Sequence, residues 1–206
     1  MQFVNKLRTN NNNHFFFIAG EPSGDIHGAQ IIANLKKQNP NIIFSGIGGT
    51  NMNKHGFQSL VPIEKMSVMG FWEVIKQFNF FLNVEKLVIN YIERNKPTKI
   101  ILIDYPGFNL RLAKKIKQKF NIPIIYYISP QIWAWKEKRI KTIKKYIDHL
   151  IVIFPFEVQW YANRGVKAYF FGHPMLNNNN NYKIKPLDLD QSLNIALCPG
   201  SRMQEI

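Results

Sequence analysis

In Phe15-Phe16-Phe17-Ile18-Ala19-Gly20-Glu21-Pro22-Ser23-Gly24-Asp25-Ile26-His27-Gly28, an apolar run stops at a turn rich in glycine and acidic residues. The run predicts a buried strand, and the turn predicts the start of a helix with Ser23 or Asp25 as its N-cap. Open α/β sheets bind ligands at such turns, because helix N-terminal amides attract anions and glycine lets a ligand approach the backbone. The turn is therefore a candidate site, with simple capping of the helix as the structural alternative.

Strand-like and helix-like segments alternate along the rest of the chain, which predicts βαβ units and an α/β fold with a mostly parallel sheet. The predicted strands are Phe15–Ala19, Ile42–Ile47, Lys99–Ile103, Ile122–Ile128, Leu150–Phe154 and Ala168–Phe171. The predicted helices are Ile26–Gln38, Phe71–Arg94, Leu110–Phe120, Trp135–Tyr146 and Glu157–Arg164.

The chain is predicted to hold one domain over residues 1–174, followed by a linker over 175–192. The linker prediction rests on an Asn-rich stretch that contains Pro186. A new apolar strand, 193–197, then runs into Pro199-Gly200-Ser201-Arg202. We expect residues 193–206 to be the truncated start of a second domain.

The composition is that of a folded protein, with 46% hydrophobic and 19% charged residues among 206. The net charge of +14 favours an anionic partner, although compositional drift toward lysine explains it equally well. The single cysteine, Cys198, suits a reducing compartment. No signal peptide is evident in Met1–Asn13, and no apolar run approaches the roughly 18 residues of a spanning helix. We therefore expect a cytoplasmic protein, soluble or peripheral to a membrane.

The turn after the first strand matches neither common nucleotide motif. It lacks the Lys-Ser/Thr pair of a P-loop, and Gly20, Gly24 and Gly28 do not have dinucleotide-site spacing. The one cysteine and five histidines show no metal-ligand spacing. We predict no metal and no cofactor.

Asp104 directly follows the apolar run of the third predicted strand and precedes Tyr105-Pro106-Gly107-Phe108-Asn109. At the carboxyl end of a parallel strand, its carboxylate is expected to face the crevice above the sheet. Partial burial there would raise its pKa and suit it to general-base chemistry. Capping of the next helix is the structural alternative, and Asn109 can fill the same role.

The next strand leads into Ser129-Pro130-Gln131-Ile132-Trp133-Ala134-Trp135. Two tryptophans two residues apart cannot share one helix face, so we expect one of them to line a cavity or an apolar surface. A basic segment follows, and it is either a solvated outer face or a face for phosphate or anionic lipid. Its cations are Lys136, Lys138, Arg139, Lys141, Lys144 and Lys145.

Val68–Leu82 carries five aromatic residues and several aliphatic ones, with only Glu73 and Lys76 charged. This is more apolar surface than one core-facing helix needs. The segment is either buried core or an exposed helix that dips into lipid.

Together these motifs resemble the N-terminal half of the lipid-A-disaccharide synthase family. The matching stretches span nearly the whole chain in order. They are residues 19–25, Gly48-Gly49, Met69-Gly70, 103–109, 129–135, Phe154-Pro155-Phe156-Glu157, Gly172-His173-Pro174 and Pro199-Gly200-Ser201-Arg202.

The resemblance implies a Rossmann-like parallel sheet flanked by helices, as the N-terminal, acceptor-binding domain of a B-type glycosyltransferase. It implies transfer of 2,3-diacylglucosamine from its UDP derivative to 2,3-diacylglucosamine 1-phosphate, with release of UDP and inversion at the anomeric carbon. The enzyme would be peripheral at the inner face of the inner membrane, on an anionic surface, with no nucleic acid as partner.

Roles for individual residues follow from the same resemblance. Asp104 would be the catalytic base, with Glu21 and Ser23 beside it. Acceptor-binding residues would be Gly20, Gly24, Asp25, Asn109, Ser129, Gln131 and Trp133. Donor-binding residues would be Gly200, Ser201, Arg202 and Glu205, and membrane-contacting residues would be Phe71, Trp72, Ile75 and Phe78.

Three alternatives remain open at the level of sequence. The chain is an inactive remnant, or a split-gene half that a separate chain completes with the C-terminal domain, or another nucleotide-sugar-binding Rossmann protein. A basic nucleic-acid-binding module explains neither Asp104 nor the tryptophan turn.

Overall fold

A computed structural model describes residues 13–66 and 78–176 of the chain. The chain divides into two compact units, Met1–Pro174 and Met175–Ile206. The first unit is an α/β domain built on a seven-stranded sheet, and the domain and linker boundaries given above stay predictions.

The seven strands are all parallel and lie in the order β3-β2-β1-β4-β5-β6-β7. They are β1 His14–Ala19, β2 Ile43–Gly48, β3 Phe57–Pro62, β4 Lys99–Ile103, β5 Ile124–Tyr127, β6 His149–Val152 and β7 Ala168–Phe170. The order reverses direction between β1 and β4, which is where open α/β sheets form a crevice. The predicted Rossmann-like α/β class is confirmed.

Helices connect the strands and cover the sheet. They are α1 Pro22–Gln38, α2 Thr50–Asn53, α3 Phe78–Asn95, α4 Pro106–Lys119, α5 Ile140–Tyr146 and α6 Pro155–Ala162, with short 3₁₀ turns at Ile63–Lys65 and Glu137–Arg139. No helix within the described ranges combines the length and apolar character needed to cross a membrane.

Two apolar cores lie on opposite faces of the sheet, because successive strand residues point to opposite sides. On one face, Phe15 and Phe17 of β1 pack with Ile32 of α1. On the other, Phe16 and Ile18 of β1 pack with α3, α4, α5 and α6. The uninterrupted apolar run at the start of the chain thus supplies both cores, as a strand buried on both faces must.

The structure corrects several predicted elements. Strand β3 was not predicted, because Phe57–Pro62 includes exposed polar residues and ends in proline. The helix predicted at Trp135–Tyr146 is wrong at its start, because Trp135 lies in a loop and the α-helix begins only at Ile140. The helices predicted from Ile26 and Leu110 begin four residues earlier, at Pro22 and Pro106, since proline suits the first helical turn.

Only part of the apolar segment Val68–Leu82 lies in the described ranges. Phe81 is 6% exposed and begins the buried face of α3, which continues through Val84, Val88 and Ile92. That part of the segment is core. The predicted membrane contacts Phe71, Trp72 and Ile75, and the side chain of Phe78, lie outside what is described.

Candidate active site

The turn after β4 holds Asp104 in a backbone conformation that side-chain-bearing residues rarely adopt. Asp104 has φ 43° and Tyr105 has φ 50°, both in the left-handed region. Three hydrogen bonds hold this turn. The Asp104 amide donates to the Tyr127 carbonyl at 3.0 Å, and the Asp104 carbonyl accepts from the Tyr126 hydroxyl at 2.5 Å and from Asn109 Nδ2 at 2.7 Å. The position of Asp104 is therefore set by its neighbours on β5 and α4.

A cavity of about 330 Å³ opens beside this turn, at the carboxyl ends of β4, β5 and β6. Asp104 is the acidic residue of its lining and Arg139 the basic one. The rest of the lining is apolar or neutral: Pro106, Ile128, Ser129, Pro130, Gln131, Ile132, Trp135 and Ile153. The volume lies at the lower end of the roughly 300–1,000 Å³ typical of small-molecule sites.

The loop after β5 forms the second wall of the cavity and is anchored from below. The buried hydroxyl of Ser129 lies 2.7 Å from the Tyr161 hydroxyl, and that tyrosine also donates to the Pro130 carbonyl at 3.1 Å. Burial and the nearby Glu157 carboxylate raise the pKa of Tyr161 to about 12, against the opposing effect of Ser129. The phenol is therefore protonated and available as a donor at neutral pH.

Backbone strain concentrates around this cavity. Of five non-glycine residues with positive φ in the described ranges, Asp104, Tyr105, Ile128 and Lys136 lie in or next to its walls. Ile128, at φ 62°, is a β-branched residue for which this conformation is a true outlier. Each such residue costs about 1–3 kcal/mol and tends to occur at functional sites.

One of the two tryptophans lines the cavity, as expected, and it is Trp135. The residue predicted to bind the acceptor was Trp133. Trp133 instead donates through Nε1 to Glu157 Oε1 at 3.1 Å and packs edge-on against Phe156, with ring centroids 5.1 Å apart. Glu157 is fully buried and also accepts the amides of Ile153 and Phe154. Trp133 thus ties the loop to the start of α6 and is absent from the cavity lining.

The turn after β1 lies against the turn after β4 through one close contact. A Cβ on Gly20 would lie 2.4 Å from Cδ1 of Tyr105, so the ring packs where only glycine leaves room. The Tyr105 hydroxyl donates to the Met66 carbonyl at 2.8 Å. Burial, reinforced by Glu21 and opposed by Arg111, raises the pKa of Tyr105 to about 12. Glu21 is therefore near Tyr105, while Ser23 is exposed on α1.

The predicted N-cap roles of Ser23 and Asp25 are wrong, because Glu21 occupies the N-cap and both residues lie inside α1. Asp25 is only 3% exposed. Its carboxylate accepts the amides of Gly49, Asn51 and Met52 at 2.7–3.1 Å, and also Asn51 Nδ2 at 2.9 Å. It caps the next helix, α2, rather than its own, and these four bonds account for its burial.

Asn109 also has a structural position. It lies within α4 and is fully buried, and its Nδ2 donates to the carbonyls of Ile103 and Asp104. The helix N-cap is Tyr105, so the capping role considered for Asn109 is wrong. Its effect on a ligand would pass through Asp104.

Of the predicted site residues, the structure brings Asp104, Ser129 and Gln131 together in the cavity lining. Gly24 is buried at the start of α1, and a Cβ there would meet Ala19 at 3.2 Å. Gly200, Ser201, Arg202 and Glu205 lie outside the described residues. Among the residues described, no cluster of three or more His, Cys, Asp or Glu side chains can hold a metal ion.

Neither Arg139 nor Trp135 was predicted as a site residue, although both line the cavity. Arg139 lies in a run of basic residues, and nothing in that run of sequence shows which of them lines the cavity. The 3₁₀ turn at Glu137–Arg139 has a different periodicity from the predicted helix. A helical projection therefore misplaces Arg139, and it misplaces Trp135 because that residue lies in the preceding loop.

The fold and the site define a Rossmann-like α/β domain with a strained, acid-bearing cleft at the carboxyl edge of its sheet. A family model described as lipid-A-disaccharide synthetase matches residues 15–206. The chain belongs to that family.

Curated relatives agree with this assignment. The chain is 42% identical over 202 residues to lipid-A-disaccharide synthase from Coxiella burnetii (strain CbuK_Q154), covering 95% of this chain and 53% of that protein. It is 44% identical over 196 residues to lipid-A-disaccharide synthase 1 from Legionella pneumophila (strain Paris), covering 92% and 51%. A relative from Trichlorobacter lovleyi is 42% identical over 199 residues. The chain spans about half the length of these relatives.

Proposed function

We propose that this chain is the acceptor-binding half of a lipid-A-disaccharide synthase. The reaction transfers 2,3-diacylglucosamine from its UDP derivative to 2,3-diacylglucosamine 1-phosphate and releases UDP. The observation that carries the proposal is the strained turn that presents Asp104 to the cavity beside β4 and β5. Membership of the family supports it independently.

Asp104 acts as the general base in this proposal. Its carboxylate takes the proton of the acceptor's 6-hydroxyl while that oxygen bonds to the anomeric carbon of the donor. The bond between that carbon and the UDP oxygen breaks, and UDP leaves with the electron pair. A single displacement of this kind inverts the anomeric carbon, and a positioned base contributes about 10²–10⁴-fold to such a step.

Three observations make the cavity a suitable acceptor site. Asp104 is half-buried beside mostly apolar and neutral groups. This setting limits contact of its carboxylate with bulk water and favours proton transfer from a bound hydroxyl. The backbone of Asp104 is held by three hydrogen bonds, so little reorganisation is needed. Gln131 supplies an amide that can orient a sugar hydroxyl.

The donor site is proposed to need more than the described residues. Gly200, Ser201, Arg202 and Glu205 would hold the UDP diphosphate, because guanidinium and backbone amides both favour phosphate. The relatives are about twice as long as this chain. The remainder of the donor domain would correspond to their second half, carried on the same polypeptide or on a separate chain.

The test is UDP release with both lipid substrates, on this chain alone and on a protein that also carries the second half. We expect Asp104→Asn to lower kcat of the active form by about 10²–10⁴-fold. The matched control is Glu93→Gln, the same acid-to-amide change on the exposed side of α3. Undiminished activity of Asp104→Asn would contradict the role of Asp104 as the base. Absence of UDP release from every form of the protein would contradict the proposed reaction.

We further propose that the protein attaches peripherally to the anionic inner face of the inner membrane. The supporting observation is an exposed basic face on α5, made of Lys141, Lys144 and Lys145. Exposed lysines near an anionic surface contribute about 1 kcal/mol each. The apolar residues Phe71, Trp72, Ile75 and Phe78 are proposed to add insertion into lipid.

Vesicle co-sedimentation separates this proposal from simple solvation of the basic face. Replacing the three lysines of the basic face by glutamine should weaken binding to phosphatidylglycerol vesicles and leave the background with phosphatidylcholine unchanged. The control is the same triple change at Lys37, Lys54 and Lys65, which are exposed elsewhere. Equal losses of vesicle binding in both triple variants would show that net charge alone, and not the basic face of α5, causes the binding.

A further inference from the structure

We infer that Arg139 binds the phosphate of a sugar 1-phosphate acceptor, with the ring of Trp135 packing against the same ligand. This rests on the proposed function, which places the acceptor in the cavity but assigns no residue to its phosphate. The inference names the group that recognises the charged end of the acceptor.

Arg139 is the cationic residue of the cavity lining, opposite in sign to Asp104 in the same lining. Within the described ranges no carboxylate pairs with its guanidinium, whereas Arg111 and Arg164 are paired with Glu85 and Glu137. An unpaired guanidinium in a small cavity is suited to a phosphate, which its planar fork can bind through two parallel hydrogen bonds.

Asp104 and Arg139 line the same cavity of about 330 Å³. The Tyr126 hydroxyl donates to the Asp104 carbonyl, which holds the Asp104 turn from β5. Burial, together with the Asp104 carboxylate, raises the pKa of Tyr126, and Arg139 acts in the opposite direction. Because both residues line one cavity of this size, a single hexose can present a hydroxyl to Asp104 and its phosphate to Arg139.

The turn that carries Arg139 is held by a backbone hydrogen bond. Arg139 ends the 3₁₀ turn Glu137–Arg139, and its amide donates to the Lys136 carbonyl at 3.0 Å. Lys136 has φ 59°, and its ammonium lies 4.3 Å from the ring centroid of Trp135. That ring is 60% exposed yet lines the cavity. An exposed aromatic beside a cation presents a flat apolar face and a charge to one ligand.

The experiment measures binding of two lipids to this chain in the same detergent micelles: 2,3-diacylglucosamine 1-phosphate and 2,3-diacylglucosamine without the phosphate. The wild-type chain should prefer the phosphorylated lipid by roughly 10- to 100-fold, as a hydrogen-bonded charge pair predicts. Arg139→Gln should lose that preference, and Arg139→Lys should keep part of it, because it retains charge but not the fork.

Lys138→Gln is the matched control, since it removes one exposed cation from the same turn without belonging to the cavity lining. Circular dichroism of each variant checks that it is folded. A wild-type chain that binds both lipids alike contradicts the inference about Arg139 and leaves the proposed acceptor in place. Equal loss of preference in Lys138→Gln and Arg139→Gln also contradicts it. A chain that binds neither lipid contradicts the proposed function, and the inference is then wrong with it.

Discussion

The turns after β1 and after β4 have similar sequences and different structural roles. Each follows a buried apolar strand and combines glycine, proline and an acidic residue. In the first, Asp25 turns inward and accepts four hydrogen bonds from the Gly49–Met52 turn. In the second, Asp104 is held by its backbone, and the residue lines a cavity. Two turns of similar composition therefore place their acids differently, one against backbone amides and the other in a cavity lining.

Replacing each acid should separate the two turns most sharply. Asp25→Ala leaves buried amides without an acceptor, so we expect the free energy of unfolding to fall by about 3 kcal/mol. Asp104→Asn should change it by less than about 1 kcal/mol. Urea denaturation followed by circular dichroism measures both. Similar losses in the two variants would erase the distinction.

Asn109 tests whether the Asp104 turn is held from beneath. Asn109→Ala removes the donor to the Ile103 and Asp104 carbonyls, so we expect a loss of about 1–2 kcal/mol in stability. Activity of the complete enzyme should fall with it, because the strained turn can relax. The control is Asn34→Ala, which removes an exposed asparagine whose Nδ2 donates to the carbonyl of Gln30, four residues earlier in α1. No difference between these variants would show that Asn109 has no positioning role.

Gly20 tests the contact between the two turns. Gly20→Ala places a methyl group against the Tyr105 ring, and such overpacking costs about 1–3 kcal/mol. Gly107→Ala is the matched change at a site with nothing within 4 Å of the added methyl, and it should be neutral or stabilising. In a double-mutant cycle, Tyr105→Ala should remove most of the cost of Gly20→Ala. An unchanged cost in the Tyr105→Ala background would mean that the two turns do not press on each other.

Alkaline pH should give the smallest effect. The pKa of Tyr105 is raised from its usual 10.0 to about 12, with burial as the main cause, so the folded state favours the protonated phenol. Its contribution is present below pH 10 and is lost as the pH rises through 12. Tyr126, Tyr127 and Tyr161 shift in the same direction. The free energy of unfolding should therefore decline less steeply between pH 10 and 12 in Tyr105→Phe than in the wild-type chain. The same slope in both proteins would contradict the raised pKa of Tyr105.

Much of the fold was predictable because local patterns carry it. Apolar runs such as Phe15–Ala19 that end at glycine or proline favour buried strands, and amphipathic segments between them form the crossover helices. The position of Asp104 followed from the same logic, since it depends only on the end of a strand. The missed strand β3 has mixed polarity and belongs to the edge of the sheet, where local patterns are weakest.

The site was only partly predictable because its members meet across long separations. Asp25 caps a helix 24–27 residues further along the chain, and Trp133 is drawn away by Glu157, 24 residues later. No local pattern reports such partners. Arg139 lines the cavity from a 3₁₀ turn, and Trp135 from the loop before it, where a continuous helix was predicted.

By itself the sequence determined six of the seven strands, the five longer helices, the burial of β1 and the placement of an acid at the end of β4. These depend on hydrophobic periodicity and on backbone preferences within a few residues. Tertiary structure alone decided that the Asp25 carboxylate accepts backbone amides. It also decided that Arg139 lines the cavity and that Trp135, rather than Trp133, lies beside it. The physical reason is that a polar side chain takes its role from the donors and charges that folding brings within about 3 Å of it.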